Sequence, residues 1–344
     1  MRSFSELGSA GRTTRLRQLA FRALSRYDLD VAAIRPLANH FNTIFRVDTA
    51  DCNRPSHRTL ADIRSELAWL DALRRETDLI VTEPIPARDG EFVTTVEVPA
   101  VPEPRHCALF RWIDGHSQIR RPTLQTVLAL GATLARLHDH ADRFTPPPGF
   151  TDRKLDRVWP FGRPPALDYD EPDELFTPER RVVLREVATR VESTLAEFYA
   201  DPSGLRFLHA DLHLGNVKLT RAGLAVLDFD DSLWCYPVQD AGISLFYLQY
   251  YPNEPDLRAA FTHGYTSVRP WPETSTAQVE TFSAARQLEL ISAMAHADDP
   301  VLASYLPGTL ARAEKQLAAW LENSPHPRPL SRGRAGCPLG GGRG

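Results

Sequence analysis

Residues 207–231 read FLHADLHLGNVKLTRAGLAVLDFDD, and two motifs inside this stretch decide the fold. His209, Asp211 and Asn216 stand in the spacing H-x-D-x-x-x-x-N, and the apolar run Leu224 to Leu227 then ends in Asp228-Phe229-Asp230. Phosphoryl transfer needs a hydroxyl held in line with a γ-phosphate and counter-charge for the phosphoryl oxygens. A carboxylate that accepts the hydroxyl proton and two oxygen ligands for Mg²⁺ supply most of this. Asp211 has the place of that carboxylate, and Asn216, at the far end of the loop, can turn its amide oxygen to the metal. A strand that ends in an acidic residue pushes a metal-binding carboxylate into a cleft, which makes Asp228 the main expected Mg²⁺ ligand. His209 belongs to the same catalytic loop. A histidine at this place more often braces the loop by hydrogen bonding than takes part in chemistry.

Working outward, residues 14–27, TRLRQLAFRALSRY, set Leu16, Leu19, Ala20, Ala23 and Leu24 at helical spacing and predict an amphipathic helix. The segment PLANHFNTIFRVDTAD predicts a hairpin with its turn near Ala38 to Asn42. Residues 59–75 return to the helical period, with Thr59 as N-cap and Asp62 in the first turn. Strands are expected at 91–98 and 106–113, which completes a small, strand-rich N-terminal lobe over residues 1–113. Helices follow at 123–141, 179–200, 238–250, 255–267 and 276–322, the last broken near Asp299 and Pro300, with one strand pair at 217–228. They make a C-terminal lobe over residues 114–323. Residues 324–344, rich in Pro, Gly and Arg, have little to bury and are expected to be a disordered tail. Between Asp48 and the helix at 59 no alternating apolar pattern occurs, and too few residues remain for a turn and a buried strand. No strand is expected there.

On these residues the chain resembles the aminoglycoside phosphotransferase and choline kinase-like family, over nearly all of residues 15–322 and most specifically 207–246. Members typically show H-G-D-x-H-x-x-N and then I-D-F-[DE]-D; HADLHLGN and LDFDD match, with Ala210 in place of the usual Gly. The resemblance implies an α+β, protein-kinase-like bilobal fold, with a small β-rich N-lobe and a larger, mainly helical C-lobe. It implies ATP and Mg²⁺ as cofactors and a small-molecule hydroxyl as acceptor: an amino alcohol, amino acid, sugar or aminoglycoside. It further implies nucleotide contacts: Asn42 and Thr43 at the tip of a phosphate-covering hairpin, and Glu66 orienting a basic residue onto the α- and β-phosphates. Backbone groups around Phe110 to Trp112 would hold the adenine edge, and Asp240 would brace the catalytic loop. In the family the basic residue rides on a strand after the hairpin. With no strand expected there, Arg46, Arg54 or Arg58 would partner Glu66, or the site would lack its phosphate clamp and turn over weakly. Lys154, Lys218 and Lys315, the only lysines, all lie outside this lobe.

The remaining composition bounds the alternatives. Lys plus Arg total 40 against 44 for Asp plus Glu, and a net charge of -4 offers no basic field for nucleic acid or an anionic membrane. No apolar run reaches spanning length, and four cysteines are too few to staple 344 residues, so reduced thiols and a cytoplasmic location are expected. Two other functions share the fold: a protein Ser/Thr kinase and a nucleotide-binding pseudokinase. A third reading takes His209, Asp211 and His213 as ligands of a metal hydrolase, although His138 and His140, two apart on a helix, face different directions.

Overall fold

The computed structural model describes residues 4, 7, 9–39, 43–47, 51–56, 59–99, 101–160, 175–273, 277–297 and 300–323. Asn42 and the tail at 324–344 lie outside the described residues. The elements run α1 (Ser9–Leu24), β1 (Ile34–Asn39), β2 (Thr43–Val47), β3 (Asp51–Ser56), α2 (Leu60–Glu76), β4 (Ile80–Val81), β5 (Pro84–Ile85), β6 (Val93–Val96), β7 (Arg105–Arg111) and β8 (His116–Ser117). Then come α3 (Leu124–Ala141), α4 (Pro178–Tyr199), β9 (Arg206–Leu208), β10 (Val217–Leu219), β11 (Leu224–Val226), β12 (Leu233–Cys235), α5 (Pro237–Phe246), α6 (Glu254–Thr266), α7 (Gln278–Ala295), α8 (Pro300–Ser304) and α9 (Leu306–Asn323).

The apolar stripe of α1 is buried as its spacing predicts, and it shares a core with Ile34, Phe45 and Val47 of the β1–β2 hairpin. The sheet runs β1-β2-β3-β7-β5, with β6 also on β7. β3 overturns one expectation: a strand does follow the hairpin. It pairs with β2 at Phe45↔Asn53 and Arg46↔Cys52, and with β7 from Asp51↔Arg111 to Ser56↔His106. Backbone partners on both sides hold it without an alternating apolar pattern. Pro55 lies past the β2 pairing, where its missing N–H breaks no rung on that side.

α2 starts at a capping box. The Asp62 N–H donates to Thr59 Oγ1 at 3.2 Å, and the Thr59 N–H returns a bond to Asp62 Oδ2 at 3.3 Å. Beyond the cap, Ile63, Leu67, Trp69, Leu70 and Leu73 join the large core built mainly from the C-terminal helices. The strand that follows α2, β4, runs parallel to β11 in a four-stranded sheet ordered β4-β11-β10-β8. β9 and β12 form a separate antiparallel pair. The result is an α+β, bilobal, protein-kinase-like fold in which α2 is packed into the larger lobe.

In that lobe α3 and α6 cross with their backbones in contact. A Cβ on Gly131 would stand 2.0 Å from the Phe261 carbonyl oxygen, and one on Gly264 would stand 1.9 Å from that of Leu128. Among the described residues, no helix is long and apolar enough to cross a membrane.

Candidate active site

β9 delivers the chain to His209 and a turn at Ala210, where φ is 59°. This left-handed conformation is the one a glycine adopts without strain, and the alanine keeps the same turn. The Ala210 N–H donates to Asp240 Oδ1 at 3.1 Å. Asp240, on the first turn of α5, is fully buried, as a charge is only when it is paired. Its Oδ2 accepts from His138 Nε2 at 3.2 Å, and His138 Nδ1 meets the Tyr265 hydroxyl at 2.8 Å. Helices α3, α5 and α6 thus converge on one backbone N–H of the loop.

Both ring nitrogens of His209 are engaged with backbone. Nε2 donates to the Leu227 carbonyl at 3.0 Å, and Nδ1 accepts from the Asp211 N–H at 3.3 Å. The Leu227 N–H donates in turn to the Asn216 carbonyl at 2.8 Å. Both ends of the loop therefore grip the residue before Asp228. No ring nitrogen of His209 is left for a metal, and among the described residues no three His, Cys, Asp or Glu side chains are gathered to hold one. That removes the ligand set the hydrolase reading required.

Asp211 is held on both oxygens. Oδ1 accepts from the Tyr247 hydroxyl at 3.0 Å and from Arg286 Nη2; Oδ2 accepts from Asn216 Nδ2 at 2.9 Å. His213 Nε2 stands 3.6 Å from Oδ2, with its ring stacked on Tyr247. Burial pushes the Asp211 carboxyl up, but the Arg286 guanidinium and then His213 override it and hold the group well below the usual carboxylate range.

Asn216 gives Nδ2 to the carbonyl and the carboxylate of Asp211, both at 2.9 Å, which leaves its amide oxygen as the ligand atom. Asp228 follows β11 at φ 63° and ψ 60°, a strained conformation for a residue other than glycine and one that clusters at functional sites. An amide oxygen and a carboxylate are hard donors that fit Mg²⁺. Phe229, fully buried, packs edge-on against Trp69 of α2 at 5.5 Å. Glu66, one turn before Trp69, is 5% exposed.

Thr43 and Phe110, expected to meet the nucleotide, are buried in the sheet. Trp112, just past β7, donates Nε1 to Asp114 Oδ1 at 2.9 Å. Arg46 of β2 and Lys218 of β10 lie 4.8 and 4.1 Å from its ring centroid. Arg46 is thereby engaged with Trp112.

Sequence reasoning did not single out Tyr247, Arg286 and Glu289. Arg286 lies 75 residues after Asp211, and in QVETFSAARQLELISAMA an arginine reads as an ordinary helix charge. No local signal marks it. It is 8% exposed and donates to the Tyr247 hydroxyl at 2.7 Å and to Glu289 Oε2 at 2.7 Å. Beside it lies a small hollow of about 20 Å³ walled by Leu155, Val158, Leu195, Ile243 and Phe282 and reached by Arg286 and Glu289.

Asp231 lies near the same charges. Burial, then the negative charges of Asp211 and Glu289, raise its pKa from 3.8 to about 6, against the pull of Arg286 and Arg153. A carboxyl raised in the folded state contributes stability below its unfolded value and loses it as pH rises through its folded value. Asp231→Asn is therefore expected to stabilise the metal-free protein at pH 8 by up to about 3 kcal/mol, with the gain vanishing below about pH 4. Urea unfolding in EDTA across that range checks it; a gain independent of pH rules out the charge as cause.

The chain is similar to a microcompartment-associated aminopropanol kinase of known structure, with a TM-score of 0.77 and 27% identity, over 89% of this chain and 98% of that one. The amicoumacin kinase hAmiN in complex with AMP-PNP, Ca²⁺ and Ami matches with a TM-score of 0.72 and 16% identity, over 90% and 96% of the two chains, a likeness of fold. In sequence, amicoumacin kinase of Bacillus subtilis (strain 168) is 29% identical over 103 residues, which span 28% of this chain and 31% of that enzyme. The model of the phosphotransferase enzyme family (APH) matches residues 34–276, most of the chain, and the chain belongs to that family.

Proposed function

We propose that this protein transfers the γ-phosphate of ATP to a hydroxyl on a small molecule, and that the acceptor carries a cationic amine. The observation that carries the reading is the catalytic loop: Asp211 is fixed on both oxygens beside Asn216, and the loop grips the residue before Asp228. Asp211 orients the acceptor hydroxyl and takes its proton as the new O–P bond forms and the bond from the γ-phosphorus to the β–γ bridging oxygen breaks, releasing ADP. Asn216 and Asp228 would hold Mg²⁺, which would neutralise charge on the phosphoryl oxygens. Thr43, with Asn42, covers the phosphates, and backbone groups around Phe110 and Trp112 receive the base. His209 keeps the loop in register. The lobes are taken as residues 1–113 and 114–323, and the protein acts in the cytoplasm.

The amine follows from charge. Asp211, Asp231 and Glu289 outnumber the nearby guanidinium groups, Arg286 and Arg153, and a cationic acceptor restores the balance. The likeness to an aminopropanol kinase supports the same class.

Arg54 is the only cationic residue of β3 (DCNRPS), opposite Ala108, and we assign it the phosphate-gripping role oriented by Glu66. Arg54→Ala is expected to lower kcat/KM for ATP by about 10²-fold or more, the scale of one lost electrostatic contact; an unchanged value removes Arg54 from that role. The function as a whole is tested by ADP release with Mg-ATP against amino alcohols, hydroxy amino acids, aminoglycosides and neutral sugars. Turnover with amine-bearing alcohols is expected. Turnover with neutral polyols alone would overturn the amine, and transfer to a protein Ser or Thr would favour the protein kinase. An empty screen with a retained thermal shift by Mg-ATP would favour the pseudokinase.

A further inference from the structure

We propose that Arg286 is a positioning residue of the transfer: with Tyr247 it saturates Oδ1 of Asp211, so that Oδ2 is the oxygen that takes the acceptor proton. The inference rests on the kinase reading above. A carboxylate has about two lone-pair sites on each oxygen. Among the described residues, Oδ1 accepts two donors, the Tyr247 hydroxyl and Arg286 Nη2, whereas Oδ2 accepts one at hydrogen-bond length, Asn216 Nδ2, with His213 Nε2 further off at 3.6 Å. Oδ2 alone retains a site for the acceptor hydroxyl. Without Arg286, Oδ1 competes for the same proton and the carboxylate is free to rotate about its χ2, which terminal carboxylates do easily.

The guanidinium is itself held. Its Nη1 donates to Glu289 Oε2 at 2.7 Å, one turn further along α7, and Nε and Nη2 donate to the Tyr247 hydroxyl at 3.2 and 2.7 Å. This fork arrangement needs a planar cation with several donors, which lysine does not offer. The catalytic loop supplies no such cation itself, since its residues 209–216 read HADLHLGN. α7 supplies it from outside the loop. The cavity beside α7 reaches Arg286 and Glu289, so the space left by a shortened side chain opens to a small solute.

The test uses the whole protein with the best acceptor from the screen. Arg286→Ala is expected to lower kcat by about 10²–10³-fold, with KM for ATP changed less than about threefold. Millimolar guanidinium ion should restore at least about tenfold of the lost kcat in this variant and nothing in the wild type, while urea, its neutral analogue, should restore nothing. Purely structural damage would not respond to the cation. A kcat within about threefold of wild type, or equal rescue by urea, overturns the proposal. If Arg286→Ala fails to fold, Tyr247→Phe and Arg286→Lys carry the test through their kcat with KM for ATP unchanged. Tyr247→Phe should lose about tenfold and Arg286→Lys less than Ala; wild-type rates in both overturn it. Wild-type turnover is measured first: a wild type inert to every acceptor overturns the kinase reading, whereas an active wild type with indifferent variants overturns this inference alone.

Discussion

Asp211→Asn is expected to reduce kcat by about 10²–10⁴-fold while the thermal shift produced by Mg-ATP remains. The loss has two sources. An asparagine cannot take the acceptor proton, and its NH₂ group must face donors whichever way it turns. On one side stand the Tyr247 hydroxyl and Arg286 Nη2, on the other Asn216 Nδ2. A donor set against a donor in a buried site costs about 1–3 kcal/mol, so a lower unfolding midpoint should accompany the lost rate. Arg286 would also lose a carboxylate and be left with Glu289. Turnover within about threefold of wild type would remove Asp211 from the role of base.

Gly264→Ala is expected to destabilise the protein by about 3 kcal/mol or more, roughly 6 °C in Tm, and to reduce kcat in the molecules that remain folded. The new methyl group would stand 1.9 Å from the Leu128 carbonyl oxygen, and the nearest atoms are backbone, which cannot swing aside as a side chain can. α6 must move away from α3. The next residue, Tyr265, meets His138, and His138 donates to Asp240, which accepts from the Ala210 N–H of the catalytic loop. A shift of one helix is thereby transmitted to Ala210, the residue before Asp211. Gly131→Ala, whose methyl would meet the Phe261 carbonyl at 2.0 Å, should act the same way. Full stability in both variants, measured by urea unfolding, would show that the crossing relaxes without cost.

The elements that sequence revealed were those with length and a cap. α2 came with its Thr59 cap and Asp62, α3 and α6 with their periods, and β1 and β2 as the two arms of a hairpin. β3 was not visible because pairing on β2 and β7, rather than an apolar pattern, defines it. β4, β5 and β8, at two residues each, are too short to show any period. The same division holds at the site. His209, Asp211, Asn216 and Asp228 are legible because one loop and one strand end carry them, so their spacing survives in the sequence. Arg286, Tyr247, His138 and Tyr265 come from helices far along the chain, and only packing brings them to the loop.

The placement of α2 has a mechanical consequence. Its apolar face is embedded in the large core, Trp69 rests on Phe229, and β4 is hydrogen-bonded to β11. Glu66 is thereby tied to β11 and the turn at Asp228, while β3 is hydrogen-bonded to β2 and β7. Hinge closure between the sheet and the larger lobe is expected to change the separation of Glu66 from β3 and to leave its separation from Asp228 unchanged. A distance probe between α2 and β3 would read the closing stroke of the cleft, and one between α2 and the turn at Asp228 would stay silent.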